Sequence, residues 1–175
     1  MVTARIRDVP DFPRPGVLFK DITPLLEDPV AFTAVVEGLA AAGREPAGAV
    51  VDKVVGIEAR GFILAAPVAL ALGVGFVPVR KPGKLPWRTH AVDYELEYGE
   101  ETLEMHADAV APGERVLLVD DVLATGGTAA AAVELVRRSG GSTVRVAVLL
   151  ELAFLHGRER IGDLPVTVLH TVAGD

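Results

Sequence analysis

Apolar residues in this chain fall into runs separated by short polar or glycine-rich breaks, and their spacing switches between helical and extended from one run to the next. Asp28-Pro29 has the form of an N-cap followed by proline at the first helical position. Phe32, Val35, Val36, Leu39 and Ala40 then recur at helical spacing, and Gly43 can end that helix. Ala49 to Val55 predicts a strand, interrupted in polarity by Asp52 and Lys53. A helix over Gly61 to Leu72, closed by Gly73, leads to a strand over Val74 to Val79. Arg115 to Val119 predicts a strongly apolar strand, Thr128 to Arg138 a helix closed by Gly140-Gly141, and Thr143 to Leu150 and Val166 to Thr171 two more strands. Strands alternating with helices predict an α/β fold with a mostly parallel, twisted sheet flanked by helices.

One segment departs from that rhythm. Tyr94, Leu96 and Tyr98 alternate with polar residues, Gly99-Glu100-Glu101 interrupts, and Leu103 and Met105 alternate again. This period of two predicts a hairpin that projects from the sheet as a flap. Pro10, Pro13, Pro15 and Pro24 punctuate the start of the chain, so residues 1–45 are expected to contribute a small hood to a single domain spanning residues 1–175.

Composition narrows the class. Half of the 175 residues are hydrophobic and 23% are charged, which suits one packed core. The absence of cysteine excludes disulfides, thiolate metal sites and a cysteine nucleophile, and agrees with a reducing cytoplasm. Residues 1–11 carry Arg5, Arg7 and Asp8 without a long apolar run, unlike a signal peptide. The longest apolar stretch, Phe62 to Val79, contains Pro67 and Pro78 and reads as a buried helix and strand, so no membrane partner is expected. A net charge of -7 argues against general affinity for nucleic acid. Positive charge is nevertheless concentrated at Arg80, Lys81, Lys84 and Arg88. Histidines 90, 106, 156 and 170 are scattered without metal-ligand spacing.

The richest chemistry lies in the string from Val116 to Thr128. Four apolar residues bury a strand, and Asp120 and Asp121 follow at its carboxyl end, where open α/β sheets bind ligands. Ala124-Thr125-Gly126-Gly127-Thr128 then precedes a helix. Glycines let backbone N–H groups turn toward an anion, and the helix N-terminus adds a favourable dipole. Carboxylates beside a phosphate cradle make sense if the ligand also presents sugar hydroxyls or a magnesium ion. Neither the Walker ending nor the dinucleotide fingerprint is present.

This string resembles the phosphoribosyl pyrophosphate signature of the type I phosphoribosyltransferases. The resemblance implies that Asp120 and Asp121 hold the ribose hydroxyls and that Ala124, Thr125, Gly126, Gly127 and Thr128 hold the 5-phosphate. Three further segments resemble the adenine-using branch of that family, in order, so that the likeness runs from Ile6 to Arg160. Asp11 to Pro24 is similar to its hood, Gly56-Ile57-Glu58-Ala59-Arg60-Gly61-Phe62 to its pyrophosphate loop, and Arg80 to Pro86 with Leu96-Glu97-Tyr98-Gly99 to its flexible catalytic loop. By residue type alone, Arg60 fits either a bidentate phosphate contact or a surface ion pair. Glu97 is one acid beside Glu95, Glu100 and Glu101, and Phe19 fits plain core. The resemblance assigns Glu97 and Arg60 to catalysis, and Arg60, Arg80, Lys81 and Lys84 to pyrophosphate. It assigns Leu18, Phe19, Lys20 and Leu123 to adenine and Tyr98 to the lid. It also implies a homodimer, and a magnesium ion held by substrate and water with no direct protein ligand. Two positions depart from the family pattern: Lys20 stands where arginine is common, and residues 87–93 match poorly.

The readings left open are the same fold with another acceptor base, a regulator that senses phosphoribosyl pyrophosphate while binding nucleic acid, and a nucleotide-binding structural module. The regulator would need a basic face or a helix-turn-helix. The structural module would need neither the lid nor its cations.

Overall fold

Residues 116–119 show why this sheet is covered on both sides. Val116 and Leu118 belong to one buried cluster, whereas Leu117 and Val119 belong to another, as strict alternation along a strand requires. A computed structural model describes residues 3–45, 48–95 and 99–174. The chain begins with an antiparallel pair, β1 (Arg7–Pro10) and β2 (Leu18–Asp21), followed by a single turn α1 (Thr23–Leu26) and helix α2 (Pro29–Ala40). A short pair, β3 (Arg44–Glu45) and β4 (Gly48–Ala49), leads to β5 (Lys53–Ile57), α3 (Arg60–Leu72) and β6 (Gly75–Val79). The hairpin β7 (Thr89–Glu95) and β8 (Glu100–His106) comes next. The chain then forms β9 (Arg115–Leu123), α4 (Gly127–Arg138), β10 (Ser142–Leu152), α5 (Arg158–Ile161) and β11 (Val166–Val172).

The main sheet has the order β11-β10-β9-β5-β6 and is parallel throughout. On one face, α2 and α3 bury Leu39, Leu64 and Val68 against Val54, Leu117 and Leu149. On the other, α4 brings Leu135 and Val136 onto Val55, Leu118 and Val148, and the hairpin adds Leu103 and Met105. Burying a side chain of this size stabilises the fold by about 1.5–3 kcal/mol. Helix α2 starts where the sequence predicts: the Asp28 carboxylate accepts from the N–H groups of Val30 at 3.0 Å and Ala31 at 3.1 Å. It gives way to a turn of 3-10 helix at Ala41–Gly43.

Several element bounds differ from expectation for identifiable reasons. The strand expected over residues 49–55 is divided, because Asp52 accepts from the backbone N–H of Arg115 at 2.7 Å and leaves the extended path. Strand β9 runs on past Val119 through both acids to Leu123, since β10 continues to pair with it as far as Glu151. The hairpin begins at Thr89, well before Tyr94. The residues expected to form the hood divide. Strands β1 and β2 make their own small sheet, while Ile22, Leu25, Ala31, Val35 and Leu39 join the core beneath α3.

Candidate active site

Beyond the last β5–β9 partners, Gly56 and Val119, the two strands open into a cleft of about 330 Å³. One wall is the turn Glu58-Ala59-Arg60; the other is residues 120–126 with 128 and 129. Both walls follow from the parallel sheet, because the carboxyl ends of its strands emerge on one edge. The peptide bond between Glu58 and Ala59 is cis.

The two acids sit differently. Asp121 is 6% exposed, and its Oδ2 lies 2.8 Å from Nη2 of Arg60 across the cleft. Asp120 Oδ1 accepts from the Asp121 backbone N–H at 2.9 Å. Burial, and then the charge of Asp121, hold the Asp120 carboxyl well above its ordinary pKa, although the same N–H and Arg60 pull the other way. Such a carboxyl is suited to partners that bring hydrogen-bond donors or positive charge.

The turn after the acids has the shape of an anion cradle. Gly126 takes a left-handed conformation (φ +82°) and α4 begins directly after it without a side-chain cap. Its first N–H groups are therefore free of intrahelical partners at the floor of the cleft. This turn rests on Gly157: a Cβ on Gly126 would stand 2.1 Å from the Gly157 carbonyl oxygen, and one on Gly157 2.2 Å from that of Ala124. Only two glycines allow backbone to meet backbone there.

The cations expected to meet pyrophosphate are held at the mouth. Glu58 accepts from Arg80 Nε at 2.8 Å and from Lys84 Nζ at 2.9 Å. Burial pushes the Glu58 carboxyl up, but hydrogen bonds from Lys84, Arg80 and the Lys81 backbone outweigh it and leave the pKa below its usual value. Lys81 turns instead to Glu101 at 3.0 Å, so it is set apart from Arg80 and Lys84. Glu101 also accepts from the Tyr94 hydroxyl at 2.8 Å. Burial is the main reason the Tyr94 phenol is pushed up to about 12.

Of the residues expected at the base, Leu18, Phe19 and Lys20 lie together on β2, and Leu123 lines the cleft while itself only 2% exposed. The Arg60 guanidinium lies 5.0 Å from the centre of the Phe19 ring, which in turn meets Phe12 edge-on at 5.0 Å. Lys20 is engaged away from the cleft with Asp8 at 2.6 Å. Glu97 and Tyr98 fall outside the described residues. Among the described residues, no group of three or more His, Asp or Glu could hold a metal ion by itself. Sequence reading did not single out the tie from Glu58 to Arg80 and Lys84, the Tyr94–Glu101 contact, or Gly157. The glycine between His156 and Arg158 is the only local signal for the last of these, and it does not name its partner.

The sequence matches the family described as "Phosphoribosyl transferase domain" over residues 26–172. An adenine phosphoribosyltransferase of a Nocardioides species is 68% identical over 170 residues, covering 97% of this chain and 92% of the relative. The crystal structure of adenine phosphoribosyltransferase from Thermoanaerobacter pseudethanolicus superposes with a TM-score of 0.92 at 49% identity, covering 98% of each chain. That of the Saccharomyces cerevisiae adenine phosphoribosyltransferase, complexed with an imino-altritol bisphosphate and adenine, gives a TM-score of 0.91 at 39% identity, covering 97% of this chain and 96% of the yeast chain. Among the described residues, no helix is long and apolar enough to cross a membrane.

Proposed function

The chain belongs to the adenine phosphoribosyltransferase family, and on that premise we propose how its residues transfer the 5-phosphoribosyl group of phosphoribosyl pyrophosphate to adenine, giving AMP and pyrophosphate. The observation that carries the assignment of roles is the 2.8 Å ion pair between Arg60 and Asp121. It joins the turn after β5 to the acid pair on β9, so one cleft can hold a pyrophosphate and a sugar side by side.

Asp120 and Asp121 accept the ribose hydroxyls, and the raised pKa of Asp120 favours a ligand that donates to it. Residues 124–128 receive the 5-phosphate on the N-terminus of α4. Arg60, Arg80, Lys81 and Lys84 turn to the pyrophosphate as charge develops on it, which requires Arg80 and Lys84 to leave Glu58. Phe19 covers the adenine ring, with the backbone of Leu18 and Lys20 at its edge and Leu123 on the other side. A fixed carbonyl there would accept from the adenine amino group and meet the carbonyl of hypoxanthine or guanine unfavourably. The lid from Pro82 to Tyr98 excludes water. Cleavage of the bond to pyrophosphate runs ahead of bond formation, leaving an oxocarbenium-like sugar. Glu97 handles the proton of the attacking purine nitrogen as general acid or base.

A magnesium ion would be held mainly by pyrophosphate, sugar hydroxyls and water, and the carboxylates that line the cleft, Glu58, Asp120 and Asp121, are a donor set that fits it. When bound, it would supply charge neutralisation on the leaving group. A homodimer is part of the reading: Ile63 and Leu70, seven residues apart on α3, and Trp87 are large apolar side chains exposed at 42%, 82% and 65%. A cytoplasmic setting suits charged, phosphorylated substrates, and the net charge of -7 weighs against nucleic acid as a partner.

The test is an endpoint assay with magnesium, phosphoribosyl pyrophosphate and one of adenine, hypoxanthine, guanine or orotate. AMP from adenine alone is the expected result. Product from another base alone would overturn the assignment of β2 to base selection while keeping the transfer chemistry.

A further inference from the structure

Among the described residues, Asp121 and Glu151 are the buried charged ones, each 6% exposed. The chemistry above uses the first and leaves the second without a task. Glu151 is the penultimate residue of β10 and pairs in register with Leu123, the last residue of β9 and part of the cleft wall. Its two carboxylate oxygens accept from Nε and Nη2 of Arg158 at 2.5 and 2.8 Å. Those bonds hold the Glu151 carboxyl below its usual pKa in spite of burial, so the pair is ionised near neutral pH. Arg158 opens α5, and the residue before it is Gly157. There backbone meets the phosphate cradle. A Cβ on Gly157 would lie 2.2 Å from the Ala124 carbonyl oxygen and 3.0 Å from the Gly126 nitrogen, and one on Gly126 would lie 3.1 Å from the Gly157 Cα. The Gly157 carbonyl also accepts from the Arg160 N–H at 3.3 Å, a long bond that leaves the fork on Glu151 as the firmer anchor.

We propose that Glu151 and Arg158 are positioning residues for the 5-phosphate: their ion pair pins Gly157 beneath the Ala124–Gly126 turn and so sets how tightly the cradle grips a sugar phosphate. This rests on the phosphoribosyl-transfer reading of the cleft. Neither side chain touches substrate. A buried ion pair offers little net stability over apolar residues of like volume, whereas a two-pronged fork fixes direction. Direction is what Gly157 needs, because with no side chain of its own it can be held only through its neighbours. If the fork is lost, Gly157 can draw back, and the backbone N–H groups of the cradle lose the surface they rest on. The Arg60 wall, on the far side of the cleft, has no part in this contact.

The variants are Glu151→Gln, Arg158→Met and the two together. Glu151→Gln keeps the shape of the buried side chain and leaves a half-exposed arginine that water can solvate, and the double variant buries no charge, so both keep the test open if Arg158→Met fails to fold. Calorimetric titration would use two probes: AMP, which carries the 5-phosphate, and pyrophosphate with magnesium, which meets the Arg60 wall and not the cradle. Glu151→Gln should weaken AMP binding about tenfold while the Kd for pyrophosphate stays within about twofold. The double variant should lose no more than Glu151→Gln alone, because both substitutions break one contact. Unchanged AMP affinity in Glu151→Gln overturns the proposal. Equal weakening of both probes also overturns it, since that is general damage to the fold, and so does a double variant whose loss multiplies beyond that of the single one. A wild-type chain that makes no nucleotide from adenine would remove the functional reading and this inference together. An active wild type with an unaffected Glu151→Gln removes the inference alone.

Discussion

Substituting Gly126 by alanine should separate backbone strain from collision at the phosphate cradle. Two costs are imposed. The first is conformational: a φ of +82° places an L side chain in the left-handed region, at about 1–2 kcal/mol. The second is steric. The new Cβ would stand 2.1 Å from the Gly157 carbonyl oxygen. Carbon–oxygen contacts settle near 3.3 Å or more, so the turn must retreat by roughly 1.2 Å. A retreat of that size in a group that orients substrate costs about a hundredfold in kcat/KM. Gly113→Ala is the matched control, since Gly113 has φ +84° with nothing within 4 Å of its Cβ position. That variant should lose only the strain, lowering Tm by roughly 2–8 °C for a chain of this size, with kcat/KM for adenine unchanged. Gly157→Ala approaches the same contact from the other side, 2.2 Å from the Ala124 carbonyl, and should behave like Gly126→Ala. Phosphoribosyl transfer and thermal melting measured on all three variants make the comparison. If Gly126→Ala keeps the activity of Gly113→Ala, the cradle does not depend on that backbone contact and the reasoning is refuted.

Asp120→Asn should raise Tm at pH 7 while abolishing most activity, because the folded-state pKa of Asp120 is raised. The unfolded chain ionises this group from about pH 3.9 upward and the folded one only at higher pH, so the wild type loses stability across that interval. The gain in the variant should therefore fade as pH is lowered below about 4, and a gain independent of pH would contradict the electrostatic account. Phe19→Ala should raise the KM for adenine by roughly ten- to a hundredfold through loss of ring stacking, with the KM for phosphoribosyl pyrophosphate little affected. Steady-state kinetics decide it, and an unchanged KM for adenine would place the base elsewhere. Leu118→Ala empties a fully buried position on β9 and should cost about 2–5 kcal/mol in urea unfolding; a loss under 1 kcal/mol would mean that the sheet closes over the gap.

The parts of this molecule legible in the sequence are those in which spacing along the chain is itself the physical cause. The unbroken apolar run at 116–119 announced a buried strand, and Asp28-Pro29 announced the start of α2, because both are local constraints. Polarity misled at strand ends. Asp120 and Asp121 look like the beginning of a loop, yet pairing with β10 carries the strand through them. Asp52 breaks a strand through a partner far along the chain, at Arg115, which no local pattern reports. The order of strands was equally hidden, since a period of two specifies faces and not neighbours. Within the site, motif residues were readable because glycines, acids and cations cluster in short strings. Residues that matter by what they hold, such as Glu58 and Tyr94, carry no such mark, because their partners lie 22 and 7 positions away.

The central pairing of β5 with β9 also governs when the site can come into being. Asp52 and Arg115, beside its first rung, are 63 residues apart in the chain. Closing so long a loop costs entropy before any strand contact offsets it, and parallel pairings of this kind form late. Arg60 waits on one side of that junction and Asp121 on the other. During synthesis the first wall of the cleft therefore leaves the ribosome long before its counterpart exists. The nascent chain should bind no phosphorylated sugar until β9 has zipped into place, so the ligand can favour only a nearly finished fold.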